Sequence, residues 1–494
     1  MTQSLWTLFD GIRCHGLMPA HRSLIIREIA NDSRRVQPDT LFVALPGQET
    51  HGLRYVPDAI RRGAVAVLAP LGSADQVGDV KNSAAWIEAE DPRALLAELS
   101  ARVYDYPARE LSLAGITGTN GKTTTVYMLA HILAHAGHSV AFWSTNSVEG
   151  VRHPYRPSMT TPDPPVLHQY LREVRQRGAH HVILEVSSHA LTLGRVEGLV
   201  FEAAAITNIS PDHLDFHGSF EAYQKAKARL ITKVRNSGVA FLNHDDPAVR
   251  VLAERASCPV RFFGFTSGAD VYARQVTLLE NGSRWEWVNR GKCEGTVVLH
   301  VPGQHNVMNA LAALGMATHF QVDPKTAIEA LKTFQPAARR LEMRHVGSYT
   351  VISDVAMNQA SYDAVMTTIG DWHRPLVVVH AIRGNRGTQV NADIADVLAD
   401  WNERLEFAPV IATLSTSYLQ QLSIDYQVRP QECEAFLSRA RDRGLAVELY
   451  SELSDALDVA IRRLEPRGVL LLLGTFGMDA ALPVAEQKLR DRGH

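Results

Sequence analysis

Cysteine is scarce in this sequence. Among 494 residues there are four, and no two of them form a CxxC pair: Cys14, Cys258, Cys293 and Cys433. Disulfide-rich domains and thiolate zinc sites need paired cysteines at short spacings. The sequence therefore indicates neither a disulfide framework nor a zinc site built from cysteines.

Long apolar runs and an excess of positive charge are also missing. No run of about 18 apolar residues occurs, and the first residues, MTQSLWTLFDGIRCHG, lack a basic region followed by an apolar stretch. Lys and Arg number 50 against 53 Asp and Glu, which gives a net charge of −3 and no basic footprint for nucleic acid or anionic membrane. We expect a cytoplasmic, monomeric protein that binds small molecules and neither nucleic acid nor membrane.

The composition that is present is that of a globular protein with several domains. Hydrophobic residues make up 46% and charged residues 21% of the chain, and domains usually hold roughly 100 to 200 residues. A boundary is indicated at YDYPARELS and a second near Gln335-Pro336. We expect three domains, at residues 1–107, 108–336 and 337–494.

Apolar strands and helical segments alternate after Leu111, and this pattern predicts the fold class. A helix is predicted from Thr123 to Ala136, and the alternation favours right-handed β-α-β units with a mostly parallel sheet. The turn Asn281-Gly282 predicts an antiparallel insertion within residues 270–301, before a helix at 306–320. Apolar strands recur after residue 337 and predict a second, Rossmann-like α/β domain.

The most informative segment runs from Gly115 to Thr124, GITGTNGKTT, where an apolar strand gives way to a helix. Glycines there allow backbone N–H groups to face phosphate oxygens, Lys122 reaches the terminal phosphates, and Thr123 can hold Mg²⁺. Ile116 stands where the usual phosphate loop has glycine, and an ordinary glycine turn would leave Lys-Thr-Thr unexplained. The predicted ATP-binding residues here are Gly118, Thr119, Asn120, Gly121, Lys122, Thr123 and Thr124.

This loop resembles the TGTNGKT(T/S) loop of the Mur ligase family, and the resemblance covers essentially the whole chain. Within the family it is strongest to the MurE branch, which adds the third residue to UDP-N-acetylmuramoyl-L-alanyl-D-glutamate. The resemblance implies an ATP- and Mg²⁺-dependent amide ligase of three domains. The first domain would bind the UDP-sugar donor, the second ATP, and the third the amine acceptor.

Three further residues match the family's metal centre. Glu185 lies in the strand-like HHVILEVSSHAL, His213 lies in SPDHLDFHG, and Lys227 lies in a Y-x-x-A-K segment on a helix that begins near Phe220. The resemblance implies that Mg²⁺ is held by Thr123, Glu185, His213 and Lys227, the last in carbamylated form. Carbamylation requires a transiently neutral amine, and hence a partly buried lysine.

Other interpretations of these residues remain open. By spacing alone, Lys227 is equally well a solvated surface lysine, like Lys225 beside it. His217 fits a structural histidine that donates to a loop carbonyl. A zinc site formed by His213, Asp215 and His217 is an alternative, although phosphoryl transfer favours magnesium.

Two later motifs also resemble the family. In GQHNVMNALAA, Asn306 and Asn309 lie one helical turn apart; the resemblance implies that Asn309 reads the adenine, and Asn306 fits a helix cap. In RRLE, Arg340 takes the place of the arginine that approaches the γ-phosphate, while Arg339 replaces a glycine. Asp354 matches the aspartate of D-Y-A-H-x-P, but the tyrosine, histidine and proline of that motif are missing.

Short matches to donor-binding positions occur in the first and second domains. NDSR and QETHG resemble UDP-sugar loops, although an ordinary Asp-Ser-Arg turn explains the first equally well. A glutamine expected two residues before Arg195 is Leu193. The predicted donor-binding residues are Ser33, Gln48, Glu49, Thr50, Thr160, Thr161, Ser187 and Arg195.

The resemblance weakens on the acceptor side. Family members that add meso-diaminopimelate carry D-N-P-R, and this chain reads IATLSTSYLQQ there. The late K-G-H-E segment is replaced by Gly474-Thr-Phe-Gly-Met-Asp479, and G-G-D-R is only partly kept in Arg383-Gly-Asn-Arg. We therefore expect an acceptor other than diaminopimelate.

Three hypotheses follow. The first is a MurE-like ligase that activates a UDP-muramoyl dipeptide or a related acid as an acyl phosphate and couples it to a different amine. The second is a relative recruited to make a specialised peptide, polymer or natural product. The third is a catalytically silent binding subunit, against which the intact Lys122, Glu185, His213 and Lys227 argue.

Overall fold

The computed structural model describes residues 3–47, 51–407, 409–422 and 426–492. Three principal sheets follow one another along the chain, all of them mostly parallel and packed with helices. The predicted α/β class is therefore confirmed, while the exact domain boundaries at 107 and 336 stay predictions. Among the described residues, none of the helices combines the length and apolar composition that a bilayer crossing needs.

The N-terminal part is built on a parallel sheet of order β3-β4-β5-β6, beside the small antiparallel pair β1-β2. Its strands are β1 Gln3–Ser4, β2 Ile25–Ile26, β3 Glu28–Ala30, β4 Thr40–Val43, β5 Ala64–Pro70 and β6 Ala85–Ala89, and its helices are α1 Leu5–Leu8, α2 Val56–Arg61 and α3 Pro92–Val103. Side chains alternate across β4, so that Leu41 and Val43 pack into one core and Phe42 into another.

The central part holds the longest sheet, with order β16-β15-β14-β13-β12-β11-β7-β10-β8-β9. Its strands are β7 Ser112–Thr117, β8 Val140–Trp143, β9 Val148–Glu149, β10 His181–Glu185, β11 Phe201–Ile206, β12 Val234–Asn243, β13 Val260–Gly264, β14 Val271–Leu279, β15 Gly282–Asn289 and β16 Lys292–Leu299. Its helices are α4 Lys122–His135, α5 Pro164–Gln176, α6 Ser188–Thr192, α7 Leu214–His217, α8 Phe220–Ala228, α9 Pro247–Arg250, α10 Gln304–His319 and α11 Pro324–Lys332.

Helices α4 and α10 pack against each other on one face of this sheet. Leu129 and Leu133 of α4 share a fully buried apolar core with Leu311 and Leu314 of α10. Helix α4 follows the carboxyl end of β7, and α10 follows the carboxyl end of β16. Open parallel sheets bind ligands at the edge formed by the carboxyl ends of their strands. This packing brings the loop before α4 next to the first turns of α10.

The C-terminal part forms a sheet of order β17-β18-β22-β19-β20-β21, parallel except at β17. Its strands are β17 Glu342–Val346, β18 Tyr349–Asp354, β19 Leu376–Ala381, β20 Val410–Thr413, β21 Val447–Tyr450 and β22 Val469–Leu473. Its helices are α12 Gln359–Gly370, α13 Thr388–Leu405, α14 Thr416–Gln420, α15 Pro430–Asp442, α16 Leu453–Arg463 and α17 Ala481–Asp491.

Short 3₁₀ helices connect these elements at Pro19–Ser23, Ser33–Arg35, Gly52–Tyr55, Ala74–Gln76, Gly78–Ser83, Pro107–Glu110, Ile231–Lys233, Val251–Arg255 and Phe476–Met478. The antiparallel insertion is confirmed as β14, β15 and β16, with β15 beginning at Gly282 of the predicted turn. The helix predicted at 123–136 is α4, and the one predicted at 306–320 is α10; each is displaced by only one or two residues.

Candidate active site

The phosphate loop joins β7 to α4 and depends on glycine at two positions. Gly118 has φ +149° and Gly121 has φ +84°, in the region that side chains disfavour. A Cβ atom on Gly118 would lie 1.9 Å from Thr207 Oγ1, and one on Gly121 would lie 2.2 Å from Asn309 Oδ1. Only the bare backbone therefore fits between these two side chains.

Asn208, in the loop after β11, holds the phosphate loop in shape. Its backbone carbonyl accepts from Thr119 N at 2.8 Å. Its side-chain oxygen accepts from Asn120 N at 2.9 Å, and its Nδ2 donates to Asn120 O at 3.0 Å. The loop is thus held in shape by the protein's own hydrogen bonds, as an anion cradle requires.

Two lysine side chains meet at this loop. Lys122 Nζ donates to Gly118 O at 3.1 Å and to Thr119 O at 2.8 Å, and Lys227 Nζ donates to Gly118 O at 2.7 Å. Lys227 is 2% exposed, with its ammonium 4.4 Å from the centre of the Tyr223 ring. The surface-lysine alternative for Lys227 is therefore wrong.

Burial sets the electrostatics of both lysines. It lowers the pKa of Lys122, against the attraction of Glu185 and Asp212. It lowers the pKa of Lys227 well below its ordinary value, and the nearby Lys122 lowers it further. Lys227 thus has access to the neutral amine form that carbamylation needs.

Glu185, at the end of β10, is buried beside the start of α4. Its Oε2 accepts from Thr123 Oγ1 at 2.9 Å and from the backbone N of Thr145 at 2.8 Å, and its Oε1 accepts from Thr145 Oγ1 at 3.1 Å. Two of the predicted metal ligands, Thr123 and Glu185, therefore lie together. Sequence reasoning missed Thr145, although its position just after β8 placed it at the same sheet edge.

His213 lies before α7 in a left-handed conformation, φ 53°, with its ring 4.8 Å from that of His189. Burial lowers the pKa of His213 to about 4, against the attraction of Asp212. His217 Nε2 lies 3.0 Å from Ser188 Oγ, a structural contact to a hydroxyl rather than the predicted carbonyl. The zinc alternative finds no support, because no three His, Cys, Asp or Glu side chains among the described residues converge to hold a metal.

Asp212 is a further site residue that sequence reasoning missed. Burial acts to raise the pKa of Asp212, but the attraction of His213 and Arg383 and a hydrogen bond from Asn358 bring it below its ordinary value. Its carboxylate also lies near enough to Lys122 to interact with it. A carboxylate next to His213 in the sequence was the available signal.

The C-terminal part reaches the phosphate loop through Arg340 and Asn358. Arg340 Nη2 donates to Thr123 Oγ1 at 3.3 Å. Asn358 Oδ1 accepts from Asn120 Nδ2 at 3.1 Å, and Asn358 Nδ2 donates to Asp212 Oδ2 at 3.0 Å. These contacts place the predicted phosphate-binding arginine beside a predicted metal ligand.

Arg339 and Asp354 shape the segment that carries Arg340. Arg339 has φ 58°, where the family motif has glycine, and its buried guanidinium donates to Asp479 and to the carbonyl of Gly474. Asp354 accepts from Leu341 N at 2.8 Å, and burial raises its pKa. Both side chains therefore fix the backbone around Arg340.

Asn309 lies underneath the phosphate loop. Its Oδ1 lies beside Gly121 and 3.5 Å from Thr125 Oγ1, and its Nδ2 donates to Asn306 Oδ1 at 3.3 Å. Asn306 in turn donates to Pro302 O at 2.8 Å. The two asparagines face the same side, as predicted, whereas the adenine contact of Asn309 stays a prediction.

Four predicted donor-binding residues cluster around the end of β10. Thr161 Oγ1 donates to Glu185 O at 2.8 Å and accepts from Ser187 N at 3.0 Å. Arg195 Nη1 donates to Thr161 O at 2.9 Å, and Thr160 Oγ1 accepts from Thr145 Oγ1 at 2.9 Å.

The N-terminal part meets this cluster, where Asn31 Nδ2 donates to Asp163 Oδ2 at 3.0 Å, while Ser33 is buried close by in the chain. Arg195 forms an ion pair with the same aspartate at 2.8 Å. Gln48, Glu49 and Thr50 lie outside the described residues.

Comparison with known proteins identifies the family. The Mur ligase middle domain matches residues 116–317, and the Mur ligase family catalytic domain matches residues 25–104. The UDP-N-acetylmuramoyl-L-alanyl-D-glutamate–2,6-diaminopimelate ligase of Chlorobaculum tepidum is 30% identical over 92% of this chain and 88% of its own. The chain belongs to the Mur ligase family.

Two further comparisons agree with this assignment. The ligase of the same name from Chlamydia pneumoniae is 33% identical over 92% of this Mur ligase and 90% of its own length. The crystal structure of MurF from Acinetobacter baumannii shares the fold, with a TM-score of 0.71 and 20% identity over 99% of both chains.

As a Mur ligase, the protein is an ATP-dependent acid–amino-acid ligase that uses Mg²⁺. The residues present fit these groups. The glycine cradle, the half-buried Lys122 and the helix start at α4 suit phosphate oxygens, and the paired Thr123 and Glu185 oxygens suit a hard cation.

Proposed function

We propose that this Mur ligase activates the carboxylate of a UDP-N-acetylmuramoyl dipeptide, or of a related acid, and couples it to an amino acid or amine other than meso-diaminopimelate. The observation that carries the proposal is the meeting of Lys122, Lys227, Thr123 and Glu185 at one loop, with Arg340 reaching it from the C-terminal part. Lys122 and Arg340 would supply positive charge where phosphoryl oxygens gather, and the oxygens of Glu185 and carbamylated Lys227 would hold Mg²⁺ beside them.

The donor assignment is supported by the relatives and by the cluster around Thr161. Relatives that match over nine-tenths of this chain are named for UDP-N-acetylmuramoyl-L-alanyl-D-glutamate. The interlocked hydroxyls and the Arg195 guanidinium line the edge of the site on the side of the N-terminal part. The proposed donor-binding residues are Ser33, Gln48, Glu49, Thr50, Thr160, Thr161, Ser187 and Arg195.

The acceptor assignment rests on how the C-terminal part uses its own residues. In the segment that replaces D-N-P-R, Ser415 is buried and donates to Gly477 O at 2.7 Å. In the segment that replaces K-G-H-E, Asp479 is bound by Arg339 and by Arg156. The arginine and the glutamate that the resemblance associates with diaminopimelate are therefore absent from both segments.

Each proposed residue has a role in two successive steps. The donor carboxylate oxygen attacks the γ-phosphorus and ADP leaves, while Lys122, Arg340 and the loop N–H groups hold the phosphoryl oxygens. Mg²⁺ held by Thr123, Glu185, His213 and carbamylated Lys227 would neutralise charge during this transfer. Asn309 is assigned to the adenine, and Asp354 to positioning Arg340.

In the second step, the amine nitrogen attacks the carbonyl carbon of the acyl phosphate. The C–N bond forms as the C–O bond to phosphate breaks. Of the two protons that the ammonium loses, one leaves with the phosphate and one passes to water. Contacts from Arg340 and Asn358 to the phosphate loop close the site against water that would hydrolyse the intermediate.

Hydroxylamine trapping tests the proposal directly. Purified protein with ATP, Mg²⁺ and a panel of UDP-muramoyl precursors should give an acyl hydroxamate with one donor and release equimolar phosphate. Phosphate release with an unrelated acid, but with none of the UDP-muramoyl precursors, would favour a relative recruited to make specialised peptides. No ATP-dependent hydroxamate with any acid would overturn the proposal and favour a binding subunit.

A further inference from the structure

Arg339 lies in the segment that leads from the central part into the C-terminal sheet, between two residues that contact the central part. Asn146 Nδ2, in the loop after β8, donates to the carbonyl of Ala338 at 2.8 Å. Arg340 Nη2 donates to Thr123 Oγ1 at 3.3 Å. Both neighbours of Arg339 therefore contact the carboxyl edge of the central sheet, where the proposed reaction centre lies.

The side chain of Arg339 extends the other way, to the carboxyl edge of the C-terminal sheet. Its guanidinium donates to the carboxylate of Asp479 and to the carbonyl of Gly474, the residue that directly follows β22. The side chains of Arg339 and Asp479 are 8% and 11% exposed. Open α/β sheets bind their ligands at this edge. A side chain of the protein therefore occupies a position that is otherwise suited to a ligand.

The partners of this guanidinium form a site for a cation. The Asp479 carboxylate and the Gly474 carbonyl are both hydrogen-bond acceptors, and charge-assisted bonds to ammonium or guanidinium groups are strong. Asp479 Oδ2 also accepts from Arg156 Nη1 at 3.3 Å and from the Tyr418 hydroxyl at 3.4 Å. Arg156 is 53% exposed, so water screens its ion pair far more than that of Arg339.

The backbone at Arg339 suits glycine better than arginine. Its φ is 58°, in the left-handed region that disfavours a residue with a Cβ atom. The family motif that this segment resembles has glycine at the same position. The buried Nε of Arg339 also finds no hydrogen-bond partner within the described part of the chain. An arginine kept under these conditions indicates that the cation itself has a role.

We propose that the Arg339 guanidinium occupies a cation subsite formed by Asp479 and Gly474, and that it thereby excludes acceptors whose side chain ends in a positive charge. Like charges repel more strongly inside a protein than in water, and the carboxylate is already paired. The acceptor is then an amino acid or amine with an uncharged side chain. This inference rests on the proposed ligase function and names the class of its acceptor.

The first measurement determines whether the subsite binds a free cation once the side chain is removed. Guanidinium chloride at about 10 mM, compared with NaCl at the same concentration, should raise the Tm of Arg339→Gly by about 2 °C and should not stabilise the wild-type protein. Arg439→Ala, which removes an exposed arginine paired with Asp396, should not respond either. An unchanged Tm of Arg339→Gly would overturn the inference.

The second measurement determines whether the acceptor reaches this subsite. Norleucine and ornithine have side chains of equal length that end in a methyl and an ammonium group, and a panel of such pairs is compared by kcat/KM. The wild-type protein should prefer the uncharged member, and Arg339→Gly should shift the ratio toward the charged member on the order of 10²-fold. Added guanidinium should reverse this shift, and Arg339→Lys should keep the wild-type preference because it retains the charge.

The ratio of two acceptors is independent of any effect on Arg340, because both acceptors react with the same acyl phosphate. A wild-type protein that prefers the charged members contradicts the inference, even if Arg339→Gly fails to fold. An Arg339→Gly protein that binds guanidinium but keeps the wild-type ratio within about twofold would make Arg339 a structural ion pair. Absence of any hydroxamate in the wild-type protein contradicts the ligase proposal instead, and guanidinium binding is measurable without activity.

Discussion

At the scale of single residues, Lys227 lies in an environment that is unusual for a lysine. A lysine on a nine-residue helix is ordinarily solvated, yet this one is buried against Gly118 O and the Tyr223 ring. Burial and the nearby Lys122 lower the pKa of Lys227 by more than the attraction of Asp212 raises it. The neutral amine is therefore accessible, and its reaction with CO₂ would replace a buried cation by an anion that can bind a metal. Lys225, two residues earlier, is exposed and provides a matched comparison.

Lys227→Ala should lower the rate of amide formation on the order of 10²-fold or more, because the proposed carbamate ligand of Mg²⁺ is lost. Added short carboxylates such as formate should restore part of the rate by replacing the missing carbamate. Lys225→Ala should keep the wild-type rate in the same assay of phosphate release. A wild-type rate in Lys227→Ala would remove the assignment, and a loss that carboxylates do not relieve would speak for a purely structural lysine.

At the scale of elements, α12 is the helix through which the C-terminal part meets the phosphate loop. Asn358 caps this helix, with Oδ1 accepting from Ser361 N at 3.0 Å, and the same side chain contacts Asn120 and Asp212. One residue therefore fixes both the start of a helix and a contact between two parts of the chain. The two roles can be separated, because serine caps helices about as well as asparagine does.

Asn358→Ser should keep the free energy of unfolding within about 0.5 kcal/mol of wild type, while kcat falls on the order of tenfold because the contacts to Asn120 and Asp212 are lost. Asn358→Ala should lower the free energy of unfolding by about 1 kcal/mol in addition, since the helix cap is also removed. Urea unfolding and steady-state kinetics measure the two effects separately. Full activity in Asn358→Ser would mean that the contact is dispensable.

At the scale of the whole molecule, histidines that are buried or half-buried in neutral form link stability to pH. Burial lowers the pKa of His168 and His305 to about 4 and that of His380 to about 3. The unfolded chain takes up protons below the ordinary histidine pKa of about 6.5. The stabilisation from these neutral rings is therefore complete above about pH 6.5 and is lost as the pH falls toward 4.

We expect each of these rings to lower the free energy of unfolding by about 2 kcal/mol when the pH falls from 7 to 5. The difference between the urea unfolding midpoints at pH 7 and pH 5 measures the combined effect of the three rings. His168→Gln should make this difference smaller for the central part. His153→Gln, at an exposed position, should leave it unchanged. Equal midpoints for the wild-type protein at pH 7 and pH 5 would contradict this expectation.

Much of the fold and part of the site were predictable, for reasons that differ between elements. Strand and helix order follows from local periodicity, so α4, α10 and the β14–β16 insertion lie within a residue or two of their predicted positions. Asp212, Thr145, Asn358 and Arg383 were missed, because each acquires its role from partners distant in the chain; Asp212 and Asn358, for example, are 146 positions apart.

By itself, the sequence determined the phosphate loop, the α/β alternation and the family, because each of these is recorded in residues that are neighbours along the chain. Only the tertiary structure decided that Lys227 is buried, that Asn309 supports Gly121, and that Arg383 is a buried cation without an ion pair among the described residues. Burial and pairing are properties of which segments pack together, and they set the pKa values and unmet charges on which the chemistry depends.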